Sequence, residues 1–168
     1  MVVLVNNSGM LGDVKNIGEQ TPENIYKVNM LNAIAPAILT NEFIKAYKNT
    51  PADIVVLNIS SGAARHPVES WANYCATKSS LDMLSKVIQL ENASSNIRVY
   101  SVAPGVVDTK MQEEIRSVSP EDFPHLSKFV SYKQKNQLVN PKDVAVLLLD
   151  IIYNPKRYQD VVLDLREI

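Results

Sequence analysis

Tyr74 and Lys78 stand four residues apart in the segment Trp71-Ala72-Asn73-Tyr74-Cys75-Ala76-Thr77-Lys78. The apolar residues that follow, Leu81, Met83, Leu84, Val87, Ile88 and Leu90, predict a helix. A helix puts the phenol and the ammonium on one face, about one turn apart. A free phenol titrates near ~10 and a free lysine near ~10.4. A fixed ammonium beside the phenol favours phenolate and moves the tyrosine toward working pH. Such a pair can pass a proton to or from a carbonyl or alcohol oxygen. Spacing alone is weak, because the same pair on a helix is ordinarily an amphipathic surface pair. Other residues add to it. Ser61 lies thirteen residues upstream, at the end of the apolar run from Ile54 to Ser60. Asn6-Asn7-Ser8-Gly9 follows the run Val2 to Val5, and Asn29 falls in a helical stretch between the two runs. Ala103-Pro104-Gly105-Val106-Val107-Asp108-Thr109 closes a third run, Ile97 to Val102.

The elements that must position these groups can be read from pattern. Three continuous, β-branched apolar runs are expected of parallel strands covered on both faces: 2–5, 53–60 and 97–102. A fourth strand is predicted over 160–165. Thr21-Pro22-Glu23 reads as an N-cap, a first-turn proline and an acidic first turn. The helix it opens runs to about Lys48, and Pro36 inside it should kink or split it. Trp71 to about Asn92 is the helix of the tyrosine and lysine. Asn140-Pro141 opens another, carrying Val144, Ala145, Leu147, Leu148, Ile151 and Ile152. Strand alternates with helix, so the fold class is α/β: a doubly wound, Rossmann-like parallel sheet with helices on both faces. The polar candidates sit at the carboxyl ends of the strands, where open α/β sheets place their ligand groups. Residues 110–138 are mixed and polar, broken by Ser119-Pro120 and Phe123-Pro124, and read as short helices over the site.

At 168 residues the chain is read as one domain, 1–168. Its 46% hydrophobic and 21% charged content are those of a soluble globular protein. The formal net charge of -1 gives no basic field for nucleic acid. No apolar run approaches the ~20 residues of a membrane span. Cys75 is the single cysteine, which leaves no internal disulfide and suits a reducing cytoplasm. No metal-ligand cluster is visible, and His66 and His125 stand far apart.

In order and spacing these motifs resemble the short-chain dehydrogenase/reductase family, over essentially the whole chain. The branch they most resemble reduces dicarbonyls and pterin side-chain ketones, as benzil and sepiapterin reductases do. The resemblance implies a small-molecule carbonyl substrate and NADP(H), with NAD(H) as the other option. It implies Asn29, Ser61, Tyr74 and Lys78 as catalytic residues, with Asn29 holding a water that joins the lysine to solvent. It also implies Asn6, Ser8, Gly9, Pro104, Gly105, Val107 and Thr109, with Tyr74 and Lys78, as cofactor contacts. Ser61, Tyr74 and Asp164 would face substrate, Asp164 as an anchor on the last strand. Residues 110–138 would be a substrate lid. Members pair through their long helices, so a homodimer or tetramer is expected.

One family element is absent. A dinucleotide fold holds the pyrophosphate with a glycine-rich turn between a first strand and a helix. The five glycines are Gly9, Gly12, Gly18, Gly62 and Gly105, and none forms that turn. The chain therefore reads as the carboxyl-terminal two thirds of such a reductase, a partial domain. The strand 2–5 is then an apolar sheet edge, expected to pair with another copy, bind a separate N-terminal fragment, or aggregate. Two rivals remain at this point: a non-catalytic binding or assembly module, and an epimerase or dehydratase sharing the tyrosine–lysine pair.

Overall fold

A computed structural model describes residues 1–168. Four parallel strands, β1 (Val2–Asn6), β2 (Ile54–Ile59), β3 (Ile97–Ala103) and β4 (Val162–Asp164), lie side by side in sequence order. The registers of the first three strands align, so that Asn6, Asn58 and Ser101 form one row across the sheet. Alternation along each strand separates two faces. Val55, Leu57, Tyr100, Val102 and Leu163 pack against Val144, Ile151 and Ile152 of α6 (Pro141–Tyr153). On the other face Ile54, Val56, Ile97 and Val99 meet Phe43, Ile44 and Ile88, which come from α2 (Ala35–Tyr47) and α3 (Ala72–Glu91). The sheet is thus covered on both faces, as the continuous apolar runs require.

The long helix expected from Thr21 is divided. α1 (Pro22–Asn29) is capped by the Thr21 hydroxyl, which accepts from the Asn24 N–H at 3.3 Å. A π-helical turn, Met30–Ile34, then leads into α2. The division lies just before Pro36 for a definable reason. Proline has no N–H, so the carbonyl four residues back, on Asn32, loses its α-helical donor, and the ring crowds that same carbonyl. A π turn is the local answer.

β4 is shorter than the span expected from sequence. The β3 edge that a longer β4 would pair with is already used, because the Gln89 side chain accepts the Val99 N–H at 2.9 Å. The expected lid contains α4 (Lys110–Arg116) and α5 (Leu126–Gln134). It is seated on an aromatic cluster: Phe123 is fully buried and stacks on Trp71 at 5.3 Å, with Phe129 at 5.4 Å. No helix is long and apolar enough to cross a membrane.

β1 forms one edge of the sheet. Val2 and Leu4 pack on the α2 side, whereas Val3 and Val5, level with Val55 and Leu57, are exposed on the α6 side. No charge or proline guards this strand.

Candidate active site

α3 begins at Ala72, so Tyr74 is in its first turn and Lys78 one turn further on. Both are buried, at 6% and 4% exposure. The Lys78 ammonium donates to the Ile59 carbonyl at the end of β2, 2.8 Å away, and lies 5.8 Å from the centre of the Tyr74 ring. Thr77 ties the same turn together, donating to the Tyr74 carbonyl at 2.8 Å.

The two serines after β2 part company. Ser60 is buried and donates to Asp82 at 2.6 Å, as does Ser101 of β3. Ser61 instead caps the 3₁₀ turn Gly62–Ala64, its oxygen accepting from the Ala63 N–H at 3.2 Å. Its hydroxyl also faces the Tyr74 phenol, and the hydrogen bond between the two favours phenolate. Ser79 on α3 donates to the Ala64 carbonyl at 2.6 Å and fixes this turn against the helix.

The electrostatics differ from the simple pair expected. Burial is the dominant influence on Tyr74 and pushes its phenol up, with Ser61 pulling the other way. Burial pushes Lys78 down to about 8, and the Asp82 carboxylate one turn below partly restores it. The lysine spends a donor on the Ile59 carbonyl and retains two others.

The asparagine at the site is Asn32, not Asn29. The Asn29 carboxamide donates to the Ile25 carbonyl and to Asn73, each at 2.8 Å, and so bridges α1 to the start of α3. Asn32 is almost fully buried in the π turn. Its oxygen accepts from the Met10 N–H at 2.9 Å. Its amide donates to the Met10 carbonyl at 2.8 Å and to Thr77 at 3.2 Å. Gly9 shows how close these groups come: a Cβ there would sit 3.4 Å from Lys78 Nζ and 3.5 Å from Asn32 Oδ1. The signal that could have found Asn32 was present in the sequence, four residues before Pro36.

The remaining candidates fall into two groups. Ser8 and Gly9 follow β1, and Pro104 and Gly105 follow β3, at the same carboxyl edge. Gly105 takes φ of 80°, a left-handed conformation suited to glycine. Val107 forms a parallel bridge with Val139, and the exposed Thr109 precedes α4 with no capping bond from its side chain. Asn6 and Asp164 are committed elsewhere. The Asn6 amide donates to Thr40 at 3.1 Å and Asn58 at 2.7 Å, beneath the site. Asp164 is buried and held by Arg166, whose hydrogen bonds keep its carboxyl below the usual carboxylate range.

A buried phenol, a serine hydroxyl beside it and a lysine facing a bare glycine therefore share one corner of a parallel sheet. A family model for short chain dehydrogenases matches residues 1–119. The chain belongs to the short-chain dehydrogenase family. Among curated relatives of this family member is a benzil reductase ((S)-benzoin forming) of Bacillus cereus. It is 34% identical over 166 residues, 98% of this chain and 67% of the relative. A sepiapterin reductase of Bos taurus is 35% identical over 159 residues, 92% of this chain and 58% of the relative. A short-chain dehydrogenase/reductase of Saccharomyces cerevisiae superposes with a TM-score of 0.85 at 27% identity, over 98% of this chain and 65% of that one. The chain thus spans only part of the length of the relatives it matches.

Proposed function

We propose that this chain carries the carbonyl-handling part of a nicotinamide-dependent reductase acting on a ketone or α-dicarbonyl of the benzil or sepiapterin kind. The observation that carries the reading is the convergence of Ser61, Tyr74 and Lys78 at the carboxyl edge of the sheet. The family implies a nicotinamide cofactor, with NADP(H) favoured by the reductase branch. The residues present fit that group: Gly9 leaves bare space beside Lys78, whose two remaining ammonium donors have no partner in the chain. Ser8, Gly9, Pro104, Gly105, Val107 and Thr109 line the same edge.

When bound, the nicotinamide supplies hydride to the carbonyl carbon. Tyr74, kept protonated by burial, gives its proton to the forming alkoxide. Ser61 donates a hydrogen bond to the same oxygen and helps to hold it in place. Lys78, anchored by the Ile59 carbonyl, orients the ribose hydroxyls and stabilises the phenolate left behind. Asn32 clamps Met10 to Thr77 and so fixes the loop against α3. Its side-chain oxygen and the Lys78 ammonium both border the space beside Gly9. This transfers to Asn32 the role expected of Asn29.

The test is Tyr74→Phe, assayed with NADPH and an aromatic α-diketone. Loss of turnover by about 10²–10⁴-fold with the fold intact supports the assignment. Full retained turnover refutes it. A protein that neither turns over nor changes NADPH fluorescence would instead be a binding module.

Exposed apolar side chains on α1, the π turn, α2 and α3, among them Ile34, Ile38, Met83 and Val87, suit self-association through the long helices.

A further inference from the structure

The carboxyl end of β4 holds two arginines and one buried carboxylate that the proton-transfer steps do not use. Asp164 Oδ1 accepts from the Arg166 backbone N–H at 3.1 Å and from Arg166 Nε at 2.8 Å. Its Oδ2 accepts from Arg166 Nη2 at 2.5 Å and lies 3.5 Å from Arg65 Nη2. The carboxylate is saturated, whereas the cations are not. A guanidinium carries five N–H donors in a planar fork. Arg166 Nη1 and the Nε and Nη1 atoms of Arg65 have no partner in the chain. Both side chains remain partly exposed.

The position of Arg166 is what makes this informative. Its stem lies over the Pro104-Gly105 turn, 3.4 Å from where a Cβ on Gly105 would be. Its Nη2 is 3.6 Å from where a Cβ on Gly62 would be, and Gly62 directly follows Ser61. The arginine therefore crosses the two turns that end β2 and β3, beside the serine that would meet the carbonyl oxygen. The other titratable groups it feels are the exposed Glu167 next to it and the Tyr132 phenol of α5. A structural staple for Asp164 needs one arginine. A second one, with unspent donors on both, is an anion site half filled from within.

We propose that Arg166 and Arg65 recognise an anionic group on the substrate, so that the carbonyl compound is a keto acid. Its carboxylate would lie on the side of the reducible carbonyl that faces the turns Arg166 crosses. Asp164 serves as the brace that aims the guanidinium, rather than as the anchor itself. This rests on the reductase reading for the identity of the carbonyl site, but its test is separate from turnover.

Trp71 is the single tryptophan and lies edge-on to Tyr74 at 5.8 Å, so its fluorescence reports occupancy. Phenylglyoxylate and its methyl ester differ in charge and little in shape. The unaltered protein should bind the acid at least about tenfold more tightly than the ester, as a charge-assisted contact allows. Arg166→Gln should bring the two affinities together while leaving the ester unchanged. Arg65→Gln, which touches Asp164 only at the limit of contact, should keep the fold and lose part of the preference. Equal affinity for acid and ester in the unaltered protein, binding of neither, or a preference that survives both substitutions would overturn the proposal. Tyr74→Phe should leave the preference intact, so the failure of either reading shows in a different measurement.

Discussion

The two faces of this one sheet follow different rules. On the α6 side the buried cluster is built of apolar side chains, and the hydroxyl of its one buried tyrosine, Tyr100, bonds the Pro155 carbonyl at 2.6 Å. On the α3 side the amino-terminal half is apolar and the carboxyl-terminal half is polar. There Asn6, Asn58 and Ser101 make a buried row, linked onward to Thr40, Ser85 and Asp82. Apolar burial stabilises without fixing direction. Buried hydrogen bonds fix direction, at the cost of requiring every member to be paired. The polar half lies directly under Ser61 and Lys78, where position matters most. One face holds the fold together, and the carboxyl end of the other holds the site in place.

The largest effect expected on this division comes from Leu57→Ala. Leu57 is fully buried on the apolar face, and the substitution should cost about 2–5 kcal/mol of stability in denaturant unfolding. The titration of Lys78, on the opposite side, should stay where it is. A shift of that titration by a full unit would show that the faces are not independent.

Next comes the pH dependence set by Lys78. Its folded value, about 8, lies below the ordinary 10.5. Between those values the unfolded chain binds the proton and the folded chain does not, so stability rises with pH. Tyr74 acts oppositely, because its folded value is raised above 10.0, and its contribution is lost as pH climbs past that point. The net expectation is a gain of about 2 kcal/mol from pH 8 to 10. Urea midpoints across this window should show the rise, and Lys78→Met should flatten it.

The apolar face has one open end, at β1. Val3 and Val5 continue the rows of Val55 and Leu57 but have no helix above them. Covering one such valine is worth about 1.5 kcal/mol. Val5→Lys should therefore reduce association measured by light scattering. Unchanged scattering would leave the exposed faces of α1, α2 and α3 as the contact.

The apolar face was the legible part of the sequence. Continuous runs at 2–5, 53–60 and 97–102 announced parallel strands, and the Asn140-Pro141 start announced α6. The closeness of Tyr74 and Lys78 was legible because residues four apart on a helix share a face, and Ser61 because strand ends gather at one edge of a parallel sheet. What pattern could not supply is which polar residue turns inward. Asn29 and Asn32 look alike in a helical stretch, and only the backbone consequence of Pro36 separates them. The sign of the Tyr74 shift was likewise hidden, since burial dominates it and Ser61, rather than the lysine, is what pulls the phenol back. Arg166 and Asp164 are two residues apart on paper. Their meaning arises from Gly62 and Gly105, which leave room for the arginine between distant turns.

The smallest effect is the most specific to the polar half. Asp82 accepts from Ser60 and Ser101 through one oxygen, and an asparagine can keep both bonds with its carbonyl. Asp82→Asn therefore removes charge while preserving shape. A hydrogen bond to a charged group is worth roughly 1 kcal/mol more than a neutral one, so stability should fall by about that much. The larger signal should be electrical, because Asp82 is the group that raises Lys78. Without it the ammonium should titrate below its present value, seen by NMR of the lysine side chain. The rise in stability with pH should then begin correspondingly earlier. If Asp82→Asn lowers stability but leaves Lys78 where it was, the polar half is a structural brace and nothing more. If Lys78 moves, the buried network reaches the reacting groups through charge as well as through position.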